Sequence, residues 1–331
     1  MTATSRTDPV QHDERASAAR QGQPVVSVVI VSDYASGEEK GWDQLSRTLR
    51  AVARQDFDEP AEHLLIENEV CADQMPAAVV DLLPSLKFVR SSATTSYALK
   101  NEGARIASAE LLAILDADCA PAPDWLRHLV DVMRRHPEAA VVSGTVTYSS
   151  RTRLGRLLGL LDRTYLNTVR TGDTDSLNNN STGFRRSVVI DHPLPDDTGP
   201  FFNKLYAQQL IRLGHRVLFE PRMMVTHEFE GWSMQEDIRR NIGFATIAMR
   251  IANPTMPYAW LIQLRFAAIP LIVVGKVALS IWQSARFAHA YGVAWYEVPL
   301  AWALVPVVRC LEVPGMIDAL RGRRIVKTQY R

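Results

Sequence analysis

The sequence predicts an α/β protein: a mostly parallel sheet flanked by helices, followed by an apolar helical segment. Three observations carry that reading. Short Val- and Ile-rich runs alternate with stretches of helical periodicity over about 120 residues. Carboxylates stand at the ends of several of those runs. After Pro257 the composition turns strongly apolar.

The elements follow in order. Residues 1–24 lack an apolar core, so they read as a disordered tail and not as a signal peptide. "VVSVVIVSD" (25–33) is a buried strand. Leu45, Leu49 and Val52 lie at helical spacing within 42–55. "HLLIEN" (63–68) and "KFVRSS" (87–92) are the next strands, and 96–109 is a helix. "LLAIL" (111–115) is a buried strand, followed by a helix from about Asp124 to Arg135 and a strand at 139–148. Residues 205–229 read as a helix capped by Gly214, then two short strands ending at His227. Residues 235–250 form a helix whose Arg239 and Arg240 are expected on a solvated face. Asn178 to Asn180 are expected in a loop. The expected divisions are a tail at 1–24, an α/β domain at 25–250 and an apolar helical region at 251–331.

Composition excludes some classes. The net charge of +1 gives no electrostatic case for nucleic acid as a partner. Cys71, Cys119 and Cys310 are far apart and show neither metal-type spacing nor a disulfide framework, which points to a reducing compartment. No G-x-G-x-x-G follows the first strand, which disfavours a dehydrogenase.

The chemistry concentrates in "LLAILDADCAPAPDW" (111–125). In open α/β sheets ligands bind at the carboxyl ends of strands. Asp33, Glu67, Asp116 and Asp118 all fall at such ends. In an extended Asp-Ala-Asp both carboxylates share one face. Unpaired, they repel by roughly 1–4 kcal/mol; a divalent cation reverses that sign. A bare D-x-D also suits an ordinary surface turn. The buried strand before it and Pro121 to Leu126 after it favour the cation.

"LKNEGARIASAELLAILDADCAPAPDWL" resembles the family-2 glycosyltransferases, with their GT-A-type nucleotide-diphospho-sugar fold. "VSVVIVSDY", "LLIEN" and "LGHRVLFEPRMMVTHEF" extend the resemblance over about residues 25 to 230. It implies that Asp33, Glu67 and Asp116 contact the nucleotide of the donor, and that Lys100 and Asn101 lie near it. It further implies that Asp118 ligates Mn²⁺ or Mg²⁺ and that His227 completes the coordination. The family's Glu-Asp pair, source of its general base, is missing: the matching positions are Phe202 and Asn203. Asp196 and Asp197, in "LPDDTGP", are the nearest acids and the candidate bases. The family's Q-x-x-R-W motif is also absent, which argues against a processive synthase.

Residues 266–282 and 293–311 are apolar and marginal in length for spanning, and they contain Lys276, Glu297 and Arg309. Four tryptophans and a basic end suit a membrane interface. A short membrane hairpin, helices lying in the interface and a soluble helical subdomain all fit, and membrane association is favoured. The expected function is metal-dependent transfer, inverting by family resemblance, from a nucleotide-diphospho-sugar to a glycan or lipid-linked acceptor at the cytosolic membrane face. The alternative is a silent nucleotide-sugar-binding scaffold of a glycan assembly complex.

Overall fold

A computed structural model describes residues 22–31, 39–149, 152–163, 170–195, 203–228 and 232–323. Among the described residues nine strands form one sheet: β1 (Val26–Val31), β2 (Ala61–Asn68), β3 (Leu86–Ser91), β4 (Leu111–Asp116), β5 (Cys119–Pro121), β6 (Ala139–Ser149), β7 (Gly172–Asp173), β8 (Thr182–Arg185) and β9 (Arg216–Glu228). Their order is β3-β2-β1-β4-β8-β6-β9-β5, with β7 also on β9. The pairings leave β5, β7 and β8 antiparallel to the rest, so the expected mostly parallel sheet is present.

Among the described residues the α-helices of eight or more residues are α1 (Glu39–Val52), α2 (Ser96–Ile106), α3 (Trp125–Arg135), α4 (Arg153–Arg163), α5 (Asn203–Arg212), α6 (Trp232–Ala252), α7 (Ala268–Phe287), α8 (Val298–Cys310) and α9 (Val313–Leu320). Strand alternation divides the apolar residues between two layers. Val28 and Ile30 of β1 join Leu45 and Leu49 of α1 and Trp125 and Leu129 of α3. Val29 and Val31 join Leu99 and Ala104 of α2 and Tyr206 and Leu210 of α5. Both faces of the sheet are therefore covered, which is why its strands are apolar throughout.

Two expectations change. The strand pair before His227 is one strand, β9. Its register on β6 jumps from Gly144↔Glu220 to Thr145↔Met224, so 221–223 bulge out of the pairing. Pro221 has no N–H to give a ladder, and the strand continues past it. Gly214 does cap α5, at φ +89.

Arg239 is the second change: it is wholly buried, while Arg240 is exposed and pairs with Asp318. Arg239 pairs with Asp162 of α4 and, at 3.2 Å, with Glu312. Glu312 also pairs with Lys276 of α7 and Arg309 of α8. Arg309 donates further to Ser280 Oγ at 2.9 Å and to Leu161 O at 3.3 Å. Helical periodicity placed Arg239 on a polar face; the C-terminal helices cover that face and bring the counter-charges with them. Removing one member of such a buried set costs about 3–5 kcal/mol, because the partners stay buried and unpaired.

Apolar contacts reinforce the joint. Leu157 and Leu161 of α4 cluster with Phe287, Val305 and Val308. Ile247 of α6 clusters with Ile269, Ile272 and Met316. Helices α6 and α9 approach so closely that a Cβ on Gly243 would overlap Glu312 O, and one on Gly315 would overlap Arg240 O.

At the end of the sheet away from the strands' carboxyl termini, Glu62 ties three segments together. It accepts from Ser27 Oγ at 2.6 Å, from Ser108 N at 2.8 Å and from Lys87 Nζ at 2.8 Å. Burial pushes this carboxyl up, but the hydrogen bonds, from Lys87 foremost, outweigh it and hold its pKa at about 2.

The α6–α9 contact is testable by stability. Gly315→Ala must displace a backbone carbonyl, and overpacking of that kind costs about 1–3 kcal/mol. Gly275→Ala meets nothing within 4 Å and is expected to be neutral or slightly stabilising. Unfolding midpoints of the two variants check the contrast, and equal midpoints contradict it.

Candidate active site

The site begins with a backbone clamp. Strand β4 ends at Asp116, and the next residue, Ala117, is held on both sides. Its N–H donates to Val31 O at 2.8 Å, and its carbonyl accepts from Thr48 Oγ1 at 2.8 Å. The chain therefore turns at 117–118 instead of running on extended. The same-face argument for Asp116 and Asp118 fails for that reason.

Each carboxylate has its own partner. Asp116 pairs with Lys100 Nζ at 2.6 Å, and both side chains are almost fully buried. Lys100 comes from α2 and also lies 5.7 Å from the Tyr97 ring centre. Asp118 Oδ2 lies 2.9 Å from His227 Nε2. The mutual repulsion expected of the aspartates is thus offset by a lysine on one side and an imidazole on the other.

The pairing of β5 with β9 brings His227 there. Cys119 faces His227, Ala120 faces Thr226 and Pro121 faces Val225. Asp118, Cys119 and His227 are all buried, and one ligand atom from each lies within 4.8 Å of the others. The Tyr148 ring meets His227 edge-on at 5.3 Å. Trp125, part of the motif after the aspartates, is structural: it is wholly buried and donates from Nε1 to Ser181 Oγ at 3.0 Å.

Other expected site residues fall around this centre. Glu67 is buried at the carboxyl end of β2, and its Oε1 accepts from the Asn68 N–H at 2.7 Å. Asn101 is buried and exchanges two hydrogen bonds of 2.9 Å with the backbone of Leu194. Leu194 stands two positions before Asp196 in the sequence. Asp33, Asp196 and Asp197 lie outside the described residues.

A polar track that residue patterns did not reveal continues from Lys100. Tyr97 OH donates to Asn203 Oδ1, and Asn179 Nδ2 donates to both of those atoms. Asn203 occupies the first position of α5, where the general base was sought. Asn178 is buried beside it and donates from Nδ2 to Gly144 O at 2.7 Å. The loop expected at 178–180 is thus a packed turn. Tyr97 and Cys119 carry no sequence signal of their own; the helical phase of α2 and the register of β5 on β9 bring them in, while Asn179 enters from the turn before β8.

Known proteins resemble the chain to different extents. The mannosyltransferase PcManGT from Pyrobaculum calidifontis, solved in complex with GDP-Man and Mn²⁺, superposes with a TM-score of 0.59 at 16% identity. The match covers 96% of this chain and 95% of that one, and it shows a shared GT-A-like fold. The glucosyl-dolichyl phosphate glucuronosyltransferase of Haloferax volcanii is 26% identical over 120 residues, which are 36% of this chain. The aligned part spans 37% of that relative's length. The profile described as "Glycosyl transferase family 2" matches residues 20–202, more than half of the 331 residues. Because that profile covers more than half of the chain, and the chain folds into a GT-A-like sheet, it belongs to glycosyltransferase family 2.

Proposed function

We propose that the protein transfers a sugar from a nucleotide-diphospho-sugar to a glycan or lipid-linked acceptor, with inversion and with a divalent cation, at the cytosolic face of a membrane. The observation that carries this reading is the buried Asp118–His227 pair beside the buried Asp116–Lys100 pair. One oxygen donor and one nitrogen donor fit Mn²⁺ better than Mg²⁺, which favours all-oxygen sites. The GDP-Man and Mn²⁺ of the Pyrobaculum structure support the assignment by analogy of fold.

The bound cation supplies positive charge where the diphosphate leaving group gains negative charge. Asp118 and His227 hold it. Asp116 and Glu67 face the nucleoside from the ends of β4 and β2, with Asp33 as their expected companion. Lys100 balances Asp116 and adds a second cation on the donor side. Asn101 holds the Leu194 backbone, and Asp196 or Asp197, which follow soon after in the sequence, takes the acceptor proton. An amide cannot accept that proton, and Asn203 is engaged by Tyr97 and Asn179. That engagement also favours a second reading, a nucleotide-sugar-binding scaffold without turnover.

The membrane part rests on two helical segments, Ala259–Phe287 and Trp295–Leu320, both long and apolar enough to cross a bilayer. Several of their charges are paired: Lys276 and Arg309 meet Glu312, and Glu297 meets Arg153 at 2.9 Å, while Arg265 and Arg286 are exposed. Many of their exposed residues are apolar or aromatic, among them Trp260, Phe266, Trp282, Trp295 and Trp302. Tryptophan favours the headgroup level of a bilayer.

Four outcomes test the reading. Asp118→Ala should lower nucleoside diphosphate release about 10³-fold across a donor panel and abolish Mn²⁺ binding seen by electron paramagnetic resonance, while circular dichroism stays unchanged. Wild-type turnover in that variant contradicts the cation assignment. Asp196→Asn or Asp197→Asn should cut transfer by about 10²–10⁴-fold with donor affinity retained; if neither does, the base is elsewhere. No transfer by the wild-type protein with any donor would favour the scaffold. Replacing Trp260, Trp282 and Trp295 together by Glu should release the protein from floated liposomes, and unchanged flotation contradicts the membrane face.

A further inference from the structure

We propose that Cys119 is a third protein donor of the Asp118–His227 site and makes it selective for thiophilic divalent cations such as Zn²⁺ and Cd²⁺. The inference rests on the reading of this site as a cation site and extends it to ion choice. Three observations carry it.

The first is register. Cys119 and His227 are direct partners in the antiparallel β5–β9 pair. Directly opposed residues in such a pair project to the same side of the sheet. The thiol and the imidazole therefore share a face by backbone geometry, whatever rotamers they take.

The second is convergence. Donor atoms of Asp118, Cys119 and His227 lie within 4.8 Å of one another, close enough for one ion to touch all three. The Cys119 thiol already donates to Asp118 Oδ1 at 3.3 Å, while the other oxygen of that carboxylate faces His227 at 2.9 Å.

The third is burial. Cys119 is fully inaccessible to solvent, and the other two ligands are nearly so. An ion held by the carboxylate and the imidazole therefore meets sulfur before bulk water on that side.

The chemistry follows from donor softness. One oxygen, one nitrogen and one sulfur make a three-ligand set that leaves a fourth tetrahedral position, the pattern of zinc sites that bind a substrate atom. A diphosphate oxygen fits that position. On binding, the S–H proton passes to water as the sulfur–metal bond forms, and no oxidant or reductant is required. Mn²⁺ gains little from sulfur, whereas Zn²⁺ and Cd²⁺ gain much. These ions should therefore displace Mn²⁺ from the site.

The experiment titrates the full-length protein with Co²⁺ and Cd²⁺, alone and with inorganic pyrophosphate. It reads the sulfur-to-metal charge-transfer absorption, and Mn²⁺ binding is followed separately by electron paramagnetic resonance. The wild-type protein and Cys310→Ser should show the band. Cys119→Ser should lose it, with Cd²⁺ affinity at least about tenfold weaker and Mn²⁺ still bound. Because Cys119 borders the core, Cys119→Ser is first checked for its unfolding midpoint. Should it not fold, zinc X-ray absorption on the wild-type protein decides: a sulfur scatterer at about 2.3 Å is expected. Mn²⁺ binding without a sulfur band or scatterer overturns the role of Cys119 and leaves the transferase reading standing. Binding of no ion, even with pyrophosphate, overturns both.

Discussion

The site depends on the short antiparallel pairing of β5 with β9. Cys119 and His227 are 108 positions apart, and three residue pairs bring them together. The pairing requires the chain to turn right after Asp116. That turn is fixed by the two hydrogen bonds of Ala117, one to β1 and one to α1. A few backbone contacts thus divide two neighbouring aspartates between a lysine and a histidine. Positioned in advance by backbone, these charges need little reorganisation when a ligand arrives, which is the condition for effective electrostatic stabilisation.

The two ends of the sheet use carboxylates differently. At the end opposite the site, Glu62 is saturated by Ser27, Lys87 and Ser108 and acts as a structural tie. At the carboxyl ends, Asp116 pairs with Lys100 and Asp118 with His227, at the site where donor binding is proposed. The same residue types therefore play two roles, and their position along the strand decides which.

Most of the sheet was legible in the sequence because strands covered on both faces are apolar throughout and end in polar residues. Asp116, Asp118 and His227 were legible from their places at strand ends and from the family pattern. The division between the aspartates was not, because it depends on Thr48 and Val31, which carry no local signal. Arg239 was misplaced for a related reason. Periodicity measures polarity on one helix and cannot see a buried partner such as Glu312, supplied by a later segment. The single strand through Pro221 was missed because proline ordinarily interrupts a ladder, and here a bulge absorbs it.

The buried ion cluster has a consequence for the order in which the protein is made. Arg239, Lys276 and Arg309 all leave the ribosome before Glu312, and until then Asp162 is the one acid of the cluster available to them. Three cations cannot be desolvated against a single carboxylate at reasonable cost. The helical end must therefore stay loosely docked on the transferase domain until residue 312 has emerged. Glu312 then closes the joint, and α9, which begins at the next residue, packs on α6 together with it.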